Sequence, residues 1–546
     1  MNGGDAVVET LIEHGVDTAF TVSGESFLPV LEAMRRHRNT MRLVTTRHEG
    51  GAAFAAEAFA KLSGRPAAVF VSRGPGATNA AIGVHTAMQD STPLLLFVGH
   101  VRQRSKGKES FQEIDQHAMF GPVAKAVLEA ESADGLAAVT AEAVRLSLAG
   151  RPGPVVVVLP RDVTESEIGD YAIPAAAPRQ PVTAEEDALA AAVALIDAAK
   201  RPLAVAGEMV AFERAQQALA AFAEASGIPV MAAYRRQDCL ANSHPAYAGH
   251  LEINRVAFQR AELDGADLIV AIGSRLDGIT SEDMSLPRPG QTLLQIYPDE
   301  VVLRRCGGEV RLRSDCGPAL AALTARLAAP DAARLARQGA LHEEYLRLAT
   351  PGSAPVAGAV DLSAVTAVAQ RLAGEDAVVV TDGGSFARWV HRFYRFEKPA
   401  TQAGPISGAM GYAVPGALGA SLAKPTVPVI AFVGDGGFMM TGQELVTARE
   451  QNLKLTVVVC DNNAHGSILW GQHRAYGAEA EYGTQLQSPD FAAVARGYGL
   501  PAWTVRATGE FEAALRAALA EPGPSLLHLL TDQRDIAPFE SSQDAV

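Results

Sequence analysis

An aspartate and an asparagine in the C-terminal third of the chain have the types and spacing of metal ligands. Asp435 and Asn462 each follow a short apolar, β-branched run, and a helix-length segment separates the two runs. This pattern predicts adjacent parallel strands joined by a crossover. Because ligands of open α/β sheets bind beyond the carboxyl ends of such strands, we expect Asp435 and Asn462 to lie side by side. Their oxygens suit Mg²⁺, which completes its coordination with phosphate oxygens of a ligand.

Glycines around Asp435 support this interpretation. Gly434, Gly436 and Gly437 have no Cβ, so the backbone at these positions can approach a phosphate group closely. The segment therefore predicts a combined site for a metal ion and a diphosphate.

A carboxylate near the N-terminus is the second candidate. Glu49 lies in Thr46-Arg47-His48-Glu49-Gly50-Gly51, between a short predicted strand and a helix rich in small residues. A carboxylate at such a junction is well placed to meet a ligand. Taken alone, it is better explained as a first-turn acid that the helix dipole favours.

A glycine-proline-glycine segment is the third candidate. Gly74-Pro75-Gly76 directly follows another predicted strand and precedes Asn79. We expect a rigid turn that lines a pocket at the top of the sheet. It is a weak phosphate loop, because it lacks the lysine of a P-loop.

The composition is that of a globular protein and excludes two kinds of partner. The 546 residues are 48% hydrophobic and 20% charged, and this length predicts about three domains. The formal net charge of −14 argues against a nucleic-acid partner, which would require a basic face. Without a signal-peptide pattern, or an apolar run of the roughly 18 residues that span a bilayer, we expect a cytoplasmic protein that does not bind membranes.

Apolar runs alternate with amphipathic stretches in three blocks. They predict an α/β protein with three doubly wound parallel-sheet domains at residues 1–172, 183–345 and 360–546. Segments rich in proline and alanine, residues 173–182 and 350–359, are predicted linkers. Strands are predicted at residues 43–45, 67–72, 93–98, 154–159, 202–206, 229–231, 268–272, 292–296, 429–433 and 455–460.

Together these segments resemble thiamine-diphosphate-dependent enzymes of the acetohydroxyacid (acetolactate) synthase branch over nearly the full chain. Gly434-Asp435-Gly436 with Asn462 is similar to the family's cofactor signature, and Arg47-His48-Glu49 to its invariant-glutamate segment. With this resemblance, the first-turn interpretation of Glu49 becomes the weaker one. Further matching segments are Gly74-Pro75-Gly76-Ala77-Thr78-Asn79, Ser110-Phe111-Gln112-Glu113, residues 153–155 and 160–163, and Gly408-Ala409-Met410-Gly411-Tyr412.

The resemblance implies pyrimidine-binding, central Rossmann-like and diphosphate-binding domains, and a role for each candidate. Asp435, Asn462 and the backbone carbonyl of Ala464 would bind Mg²⁺. Glu49, from the partner subunit, would hydrogen-bond the aminopyrimidine ring, and Met410 would hold thiamine diphosphate in a bent shape. The other expected cofactor contacts are Gly74, Pro75, Asn79, Gly384, Ser385, Gly408, Gly434, Gly436, Gly437, His465, Gly466 and Ser467, and the expected substrate-side residue is Gln112. Such sites form between subunits, so we expect a homodimer or homotetramer.

Several positions depart from the family's pattern. Ser385 and Phe386 stand where the synthases have a diphosphate-contacting Gln and His; Ser385 could still contact the cofactor, but Phe386 cannot replace a polar donor. Gly471 stands where a tryptophan shapes the acceptor pocket, so we expect a different acceptor preference. Tyr297 stands where an acidic residue is usual in the central domain. Two alternatives stay open there: an FAD site, or a Rossmann-like domain that is vacant or holds another nucleotide.

The implied reaction is decarboxylation of a 2-oxo acid and carboligation of the enamine to a second carbonyl compound, as in acetolactate synthesis. One alternative is a non-ligating 2-oxo acid decarboxylase or 2-hydroxyacyl lyase of the same family. Another is a cofactor-binding regulatory protein without catalysis, which the intact Glu49 disfavours.

Overall fold

Three six-stranded parallel sheets organise the chain in this computed structural model, which describes residues 1–169 and 171–539. Each sheet lies within one of the three predicted ranges, and the predicted fold class is confirmed. Asp170, in the first predicted range, and residues 540–546, in the third, lie outside the described residues.

The first sheet has the strand order β2-β1-β3-β4-β6-β5. Its inner strands, at residues 67–72, 94–100 and 155–160, are almost wholly apolar because helices cover them on both sides. The strands are β1 (Thr18–Thr21), β2 (Arg42–Thr45), β3 (Ala67–Ser72), β4 (Leu94–His100), β5 (Ala126–Glu129) and β6 (Val155–Pro160). The helices are α1 (Gly3–Glu13), α2 (Leu28–Arg36), α3 (Glu49–Ser63), α4 (Arg73–Asp90), α5 (Gln116–Phe120), α6 (Leu136–Leu148) and α7 (Arg161–Glu165).

The central sheet has the order β12-β11-β10-β7-β8-β9. Its strands are β7 (Pro202–Ala206), β8 (Val230–Ala232), β9 (Tyr247–His250), β10 (Leu268–Ile272), β11 (Thr292–Tyr297) and β12 (Val310–Arg313). The helices are α8 (Glu186–Ala198), α9 (Glu208–Phe212), α10 (Gln216–Ser226), α11 (Ala257–Gly265), α12 (Glu300–Cys306), α13 (Cys316–Thr324) and α14 (Ala332–Leu348).

The third sheet, β14-β13-β15-β16-β18-β17, repeats the topology of the first. Its strands are β13 (Val378–Thr381), β14 (Gln402–Ala403), β15 (Val429–Gly434), β16 (Thr456–Asp461), β17 (Ala502–Val505) and β18 (Ser525–Leu530). The helices are α15 (Leu362–Ala373), α16 (Ala387–Phe393), α17 (Ala413–Ala423), α18 (Asp435–Thr441), α19 (Glu444–Glu450), α20 (Gly466–Tyr476), α21 (Phe491–Gly497) and α22 (Thr508–Ala520). Among the described residues, none of the helices has the length and apolar character needed to cross a membrane.

The predicted strands all occur, with ends shifted by at most two residues. The predicted crossover between the strands that lead to Asp435 and Asn462 is also confirmed, since β15 pairs in parallel with β16 and Gly434 lies opposite Cys460. The prediction of a turn at Gly74-Pro75-Gly76 is wrong: these residues form the first turn of α4. A proline is tolerated there because the first helical N–H groups have no partner within the helix.

Helix α3 joins the first domain to the third by packing between α4 and α17. A Cβ on Gly419 of α17 would lie 2.0 Å from the carbonyl oxygen of Ala55, and a Cβ on Gly83 of α4 would lie 2.2 Å from the Cβ of Ala53. Only glycine fits such close helix contacts. Side chains from both domains consequently share one hydrophobic core, which includes Phe54, Phe59, Tyr412 and Leu418.

We predict that Gly419→Ala lowers the melting temperature, because overpacking this contact costs about 1–3 kcal/mol. The matched control is Gly339→Ala in the middle of α14, where a Cβ meets nothing within 4 Å. That change should raise stability slightly, since alanine is the better helix former. An unchanged melting temperature for Gly419→Ala would mean that α3 and α17 are not packed this closely.

Candidate active site

The loops after three neighbouring strands of the third sheet surround one cavity of about 280 Å³. The loop after β13 meets the loop after β15 where the chain order of the strands reverses, which is where open α/β sheets bind ligands. Thirteen predicted residues line this cavity: Gly384, Ser385, Gly408, Met410, Gly434, Asp435, Gly436, Gly437, Asn462, Ala464, His465, Gly466 and Ser467.

Asp435 is a buried carboxylate with few partners. Its Oδ1 accepts a hydrogen bond from the Gly436 N–H at 2.8 Å, and its Oδ2 accepts one from the Ser488 hydroxyl at 3.3 Å. Burial raises the pKa of Asp435 to about 6, and the neighbouring carboxylate of Asp461 adds to the rise. A cation beside Asp435 would relieve both effects, so the donor chemistry fits a divalent metal.

Asp461 is held ionised although it is also buried. Burial favours its neutral form, but hydrogen bonds from His528 and Ser488 outweigh this and lower the pKa of Asp461. His528 Nε2 lies 2.8 Å from Asp461 Oδ2. This contact orders the end of β16, from which Asn462 enters the cavity.

Met410 lies beside the glycines that follow β15. A Cβ on Gly436 would lie 3.2 Å from the Cε of Met410. The turn that carries Met410 is fixed by Asp382, whose carboxylate accepts hydrogen bonds from the N–H groups of Gly411 at 2.9 Å and Tyr412 at 2.7 Å. The Met410 side chain is therefore positioned between the loops after β13 and β15.

The N-terminal candidates form a second group. Asn79 Nδ2 donates to Glu49 Oε2 at 2.9 Å, and the Gly74 N–H donates to the Gln112 carbonyl at 2.9 Å. Glu49 is half-buried, whereas Pro75, Asn79 and Gln112 are exposed. None of these five described residues lines the cavity of the third domain.

Glu444 of the third domain fixes where the helix of Glu49 begins. Its Oε1 accepts hydrogen bonds from the N–H groups of Arg47 and His48, both at 3.0 Å, and it is fully buried. These two N–H groups precede the first turn of α3. Sequence reasoning missed Glu444, because nothing in its local pattern distinguishes it from a surface acid.

Four ionisable residues that sequence reasoning also missed line the cavity. Arg235 and Glu252 follow β8 and β9 of the central domain, while Arg388 and His391 lie on α16. Arg235 and Glu252 lie just after strand ends of the central domain, and this position was the one sequence feature that could have pointed to them. No sequence pattern indicates that the central and third domains meet there.

The comparisons with known proteins match each of the three domains. Residues 1–119, 189–323 and 382–529 match the N-terminal binding, central and C-terminal binding domains of thiamine pyrophosphate enzymes. The acetolactate synthase large subunit of Corynebacterium glutamicum is 32% identical over 95% of this chain and 84% of its own length.

The chain belongs to the thiamine-diphosphate-dependent enzymes that resemble acetolactate synthase. Other relatives are the probable acetolactate synthase large subunit of Methanocaldococcus jannaschii, 28% identical over 99% of this chain and 93% of its own length, and the large subunit of isozyme 1 of Escherichia coli, 29% identical over 98% and 94%. The chain is therefore a thiamine-diphosphate-dependent enzyme with the three-domain fold of this family.

We predict that Asp435→Asn weakens Mg²⁺-dependent binding of thiamine diphosphate by about 100-fold, because a charged metal ligand is lost. Titration of the cofactor with and without Mg²⁺ measures this. Asp376→Asn, at an exposed position before β13, is the control and should bind like the wild type. Equal cofactor affinity for Asp435→Asn and the wild type would remove Asp435 from the metal site.

Proposed function

We propose that this enzyme uses thiamine diphosphate and Mg²⁺ to decarboxylate a 2-oxo acid and to join the remaining acyl unit to a second carbonyl compound. The bond between the carboxylate and the carbonyl carbon of the first substrate breaks, and CO₂ leaves. A new bond forms to the carbonyl carbon of the second substrate, whose oxygen takes up a proton. The supporting observation is that one chain, similar to acetolactate synthases over nearly its full length, carries both Glu49 and the Asp435–Asn462 pair.

The chain's residues have three tasks in this proposal. Bound thiamine diphosphate supplies the carbon nucleophile and accepts the electron pair that decarboxylation releases. Asp435 and Asn462 would hold Mg²⁺, and Met410 would support the cofactor. The Glu49 carboxylate, oriented by Asn79, hydrogen-bonds the pyrimidine ring and holds or releases its proton.

The active site is proposed to form between two copies of the chain. The group around Glu49 lies outside the cavity of the third domain in the same chain. Apolar side chains are exposed next to both groups: Phe111 is 76% exposed, Met439 63% and Ile468 60%. Exposed apolar residues of this size near polar site residues are typical of subunit interfaces. A homodimer is then the smallest active unit.

We predict that Glu49→Gln reduces turnover by about 1,000-fold, the range of a lost acid–base group. Affinity for thiamine diphosphate should change only a few-fold, because the metal and diphosphate contacts are intact. Glu13→Gln, at an exposed position at the end of α1, is the control. Full activity of Glu49→Gln would refute the proposed mechanism.

The products formed from pyruvate separate carboligation from the alternative reactions. Acetolactate supports the proposal, whereas acetaldehyde alone would indicate a non-ligating decarboxylase. Gly471, which stands where the synthases have a tryptophan, is exposed and has no side chain with which to shape an acceptor pocket. For this reason the test should offer several aldehydes and 2-oxo acids as acceptors.

The central domain is proposed to lack FAD. Tyr297 donates a hydrogen bond to Glu208 Oε1 at 2.9 Å, and both side chains are buried. Glu208 is the first residue of α9, which follows β7, so a buried carboxylate lies on the helix where a dinucleotide phosphate would bind and would repel that phosphate.

We predict that the purified enzyme shows no flavin absorption in visible light and that added FAD leaves turnover unchanged. Tyr297→Phe is the comparison variant, and its flavin absorption is measured in the same way. This substitution removes the hydrogen bond to Glu208 but keeps the aromatic ring. Stoichiometric flavin in the wild-type enzyme would show that the central domain does bind FAD.

A further inference from the structure

Two buried arginines from different domains line the same active-site cavity. Arg235 follows β8 of the central domain, and Arg388 lies in the first turn of α16. Both line the cavity that contains Asp435 and Asn462, yet Arg235 is only 3% exposed and Arg388 only 9%. Charged side chains are almost never this buried without a partner.

Each guanidinium group has at least one buried hydrogen-bond donor without an acceptor. Arg235 uses Nη2 to donate to the Asp382 carbonyl at 2.9 Å, but its Nε and Nη1 have no acceptor. Arg388 Nη1 is likewise buried without an acceptor. Buried donors without acceptors are rare in native proteins and costly, more so on charged groups. A ligand with oxygen acceptors would pair these donors.

The carboxylates around this region leave the unpaired arginine donors without acceptors. Glu252 forms no hydrogen bond with either of them among the described residues. Burial raises the pKa of Glu252 to about 7, although the nearby arginines oppose the rise. The carboxylate of Asp382 is occupied by Gly411 and Tyr412, and that of Asp535 by the N–H groups of residues 357 and 358.

The local charges favour an anionic ligand over a metal cation in this part of the cavity. His250, Glu252 and His391 have ligand atoms within 4.8 Å of one another, which is close enough for one metal ion. However, burial and nearby Arg392 lower the pKa of His250 to about 4, and Arg235 and Arg388 act on His391 in the same direction. Arginines that disfavour a proton on these imidazoles disfavour a divalent cation for the same reason.

A carboxylate matches the arginines in both charge and geometry. The planar guanidinium forms paired, charge-assisted hydrogen bonds with carboxylates. The arginines share the cavity with the predicted cofactor loops, so a substrate that reacts at the cofactor could extend one end to them. Its reacting end would be the 2-oxo acid group, and its other end would carry the second anion.

We propose that the 2-oxo acid substrate of this enzyme carries a second, remote carboxylate, which binds between Arg235 and Arg388. The inference rests on the proposed function and specifies its substrate class. Decarboxylation removes only the carboxylate next to the oxo group. The remote carboxylate stays bound and is retained in the product.

Pairs of substrates of equal length test this inference. 2-Oxoglutarate is compared with 2-oxopentanoate, and 2-oxoadipate with 2-oxohexanoate, so that each pair differs in a terminal carboxylate against a methyl group. The holoenzyme should prefer one of the dicarboxylic acids in kcat/KM. Arg388→Met should lower that preference by about 100-fold, and Arg388→Lys should restore part of it. The affinity for thiamine diphosphate should stay unchanged.

A binding measurement separates failure of this inference from failure of the proposed function. Glutarate, which has no oxo group, should raise the melting temperature of the holoenzyme more than pentanoate does, and Arg388→Met should abolish the difference. Arg506→Met, at an exposed position after β17, is the control. If glutarate binds in this Arg388-dependent way but no 2-oxo acid is turned over, the carboxylate site stands and the proposed function fails.

Two results would overturn the inference. Equal kcat/KM for the dicarboxylic and the methyl-ended acids in the wild type, or the same preference in the wild type and in Arg388→Met, would show that these arginines recognise no remote carboxylate. Loss of affinity for thiamine diphosphate in Arg388→Met would show that the guanidinium serves the diphosphate instead.

Discussion

The close packing of α3 against α17 is the constraint on which both groups of site residues depend. Helix α3 starts at Glu49, and α17 starts just after Met410-Gly411-Tyr412. With Gly419 the carbonyl of Ala55 can lie almost in contact with the backbone of α17. Any displacement of these helices would therefore move both Glu49, the predicted pyrimidine-side carboxylate, and Met410, the residue proposed to support the cofactor. The shared core converts two domains into one rigid scaffold.

Buried polar contacts fix the relative orientation of the domains, which the apolar core alone would not determine. The Tyr412 hydroxyl donates to Glu57 of α3 at 2.5 Å, and its backbone N–H donates to Asp382, so one residue ties α3 to the turn of Met410. Lys61 pairs with Asp90, which also accepts a hydrogen bond from Arg236 of the central domain. Such contacts are costly if they are broken, because each would leave a buried charge without its partner. All three domains are held in one arrangement in this way.

Much of the fold and half of the site could be predicted from the sequence, for identifiable reasons. Strands such as β3, β7, β15 and β16 are continuous apolar runs, and the loops that follow them meet at the sheet edge by topology alone. Ten of the 18 described strands were predicted; among those missed, β9 and β12 are short and carry polar residues, whereas β13 and β18 are largely apolar and were not identified. The residues Arg235, Arg388 and Glu444 act across domain contacts, and their spacing in the chain says nothing about which domains touch. The turn predicted at Gly74-Pro75-Gly76 failed because proline also suits a helix start.

The central claim is that each active site combines Glu49 of one subunit with Asp435 of its partner. The most direct measurement mixes two inactive variants, Glu49→Gln and Asp435→Asn, under conditions in which subunits exchange. In a mixed dimer, one of the two sites would receive both intact residues. Random pairing should then restore about one quarter of wild-type activity, since half of the dimers are mixed and each has one working site. If each chain formed its own active site, every site would carry a substitution, and a mixture without activity would contradict the account.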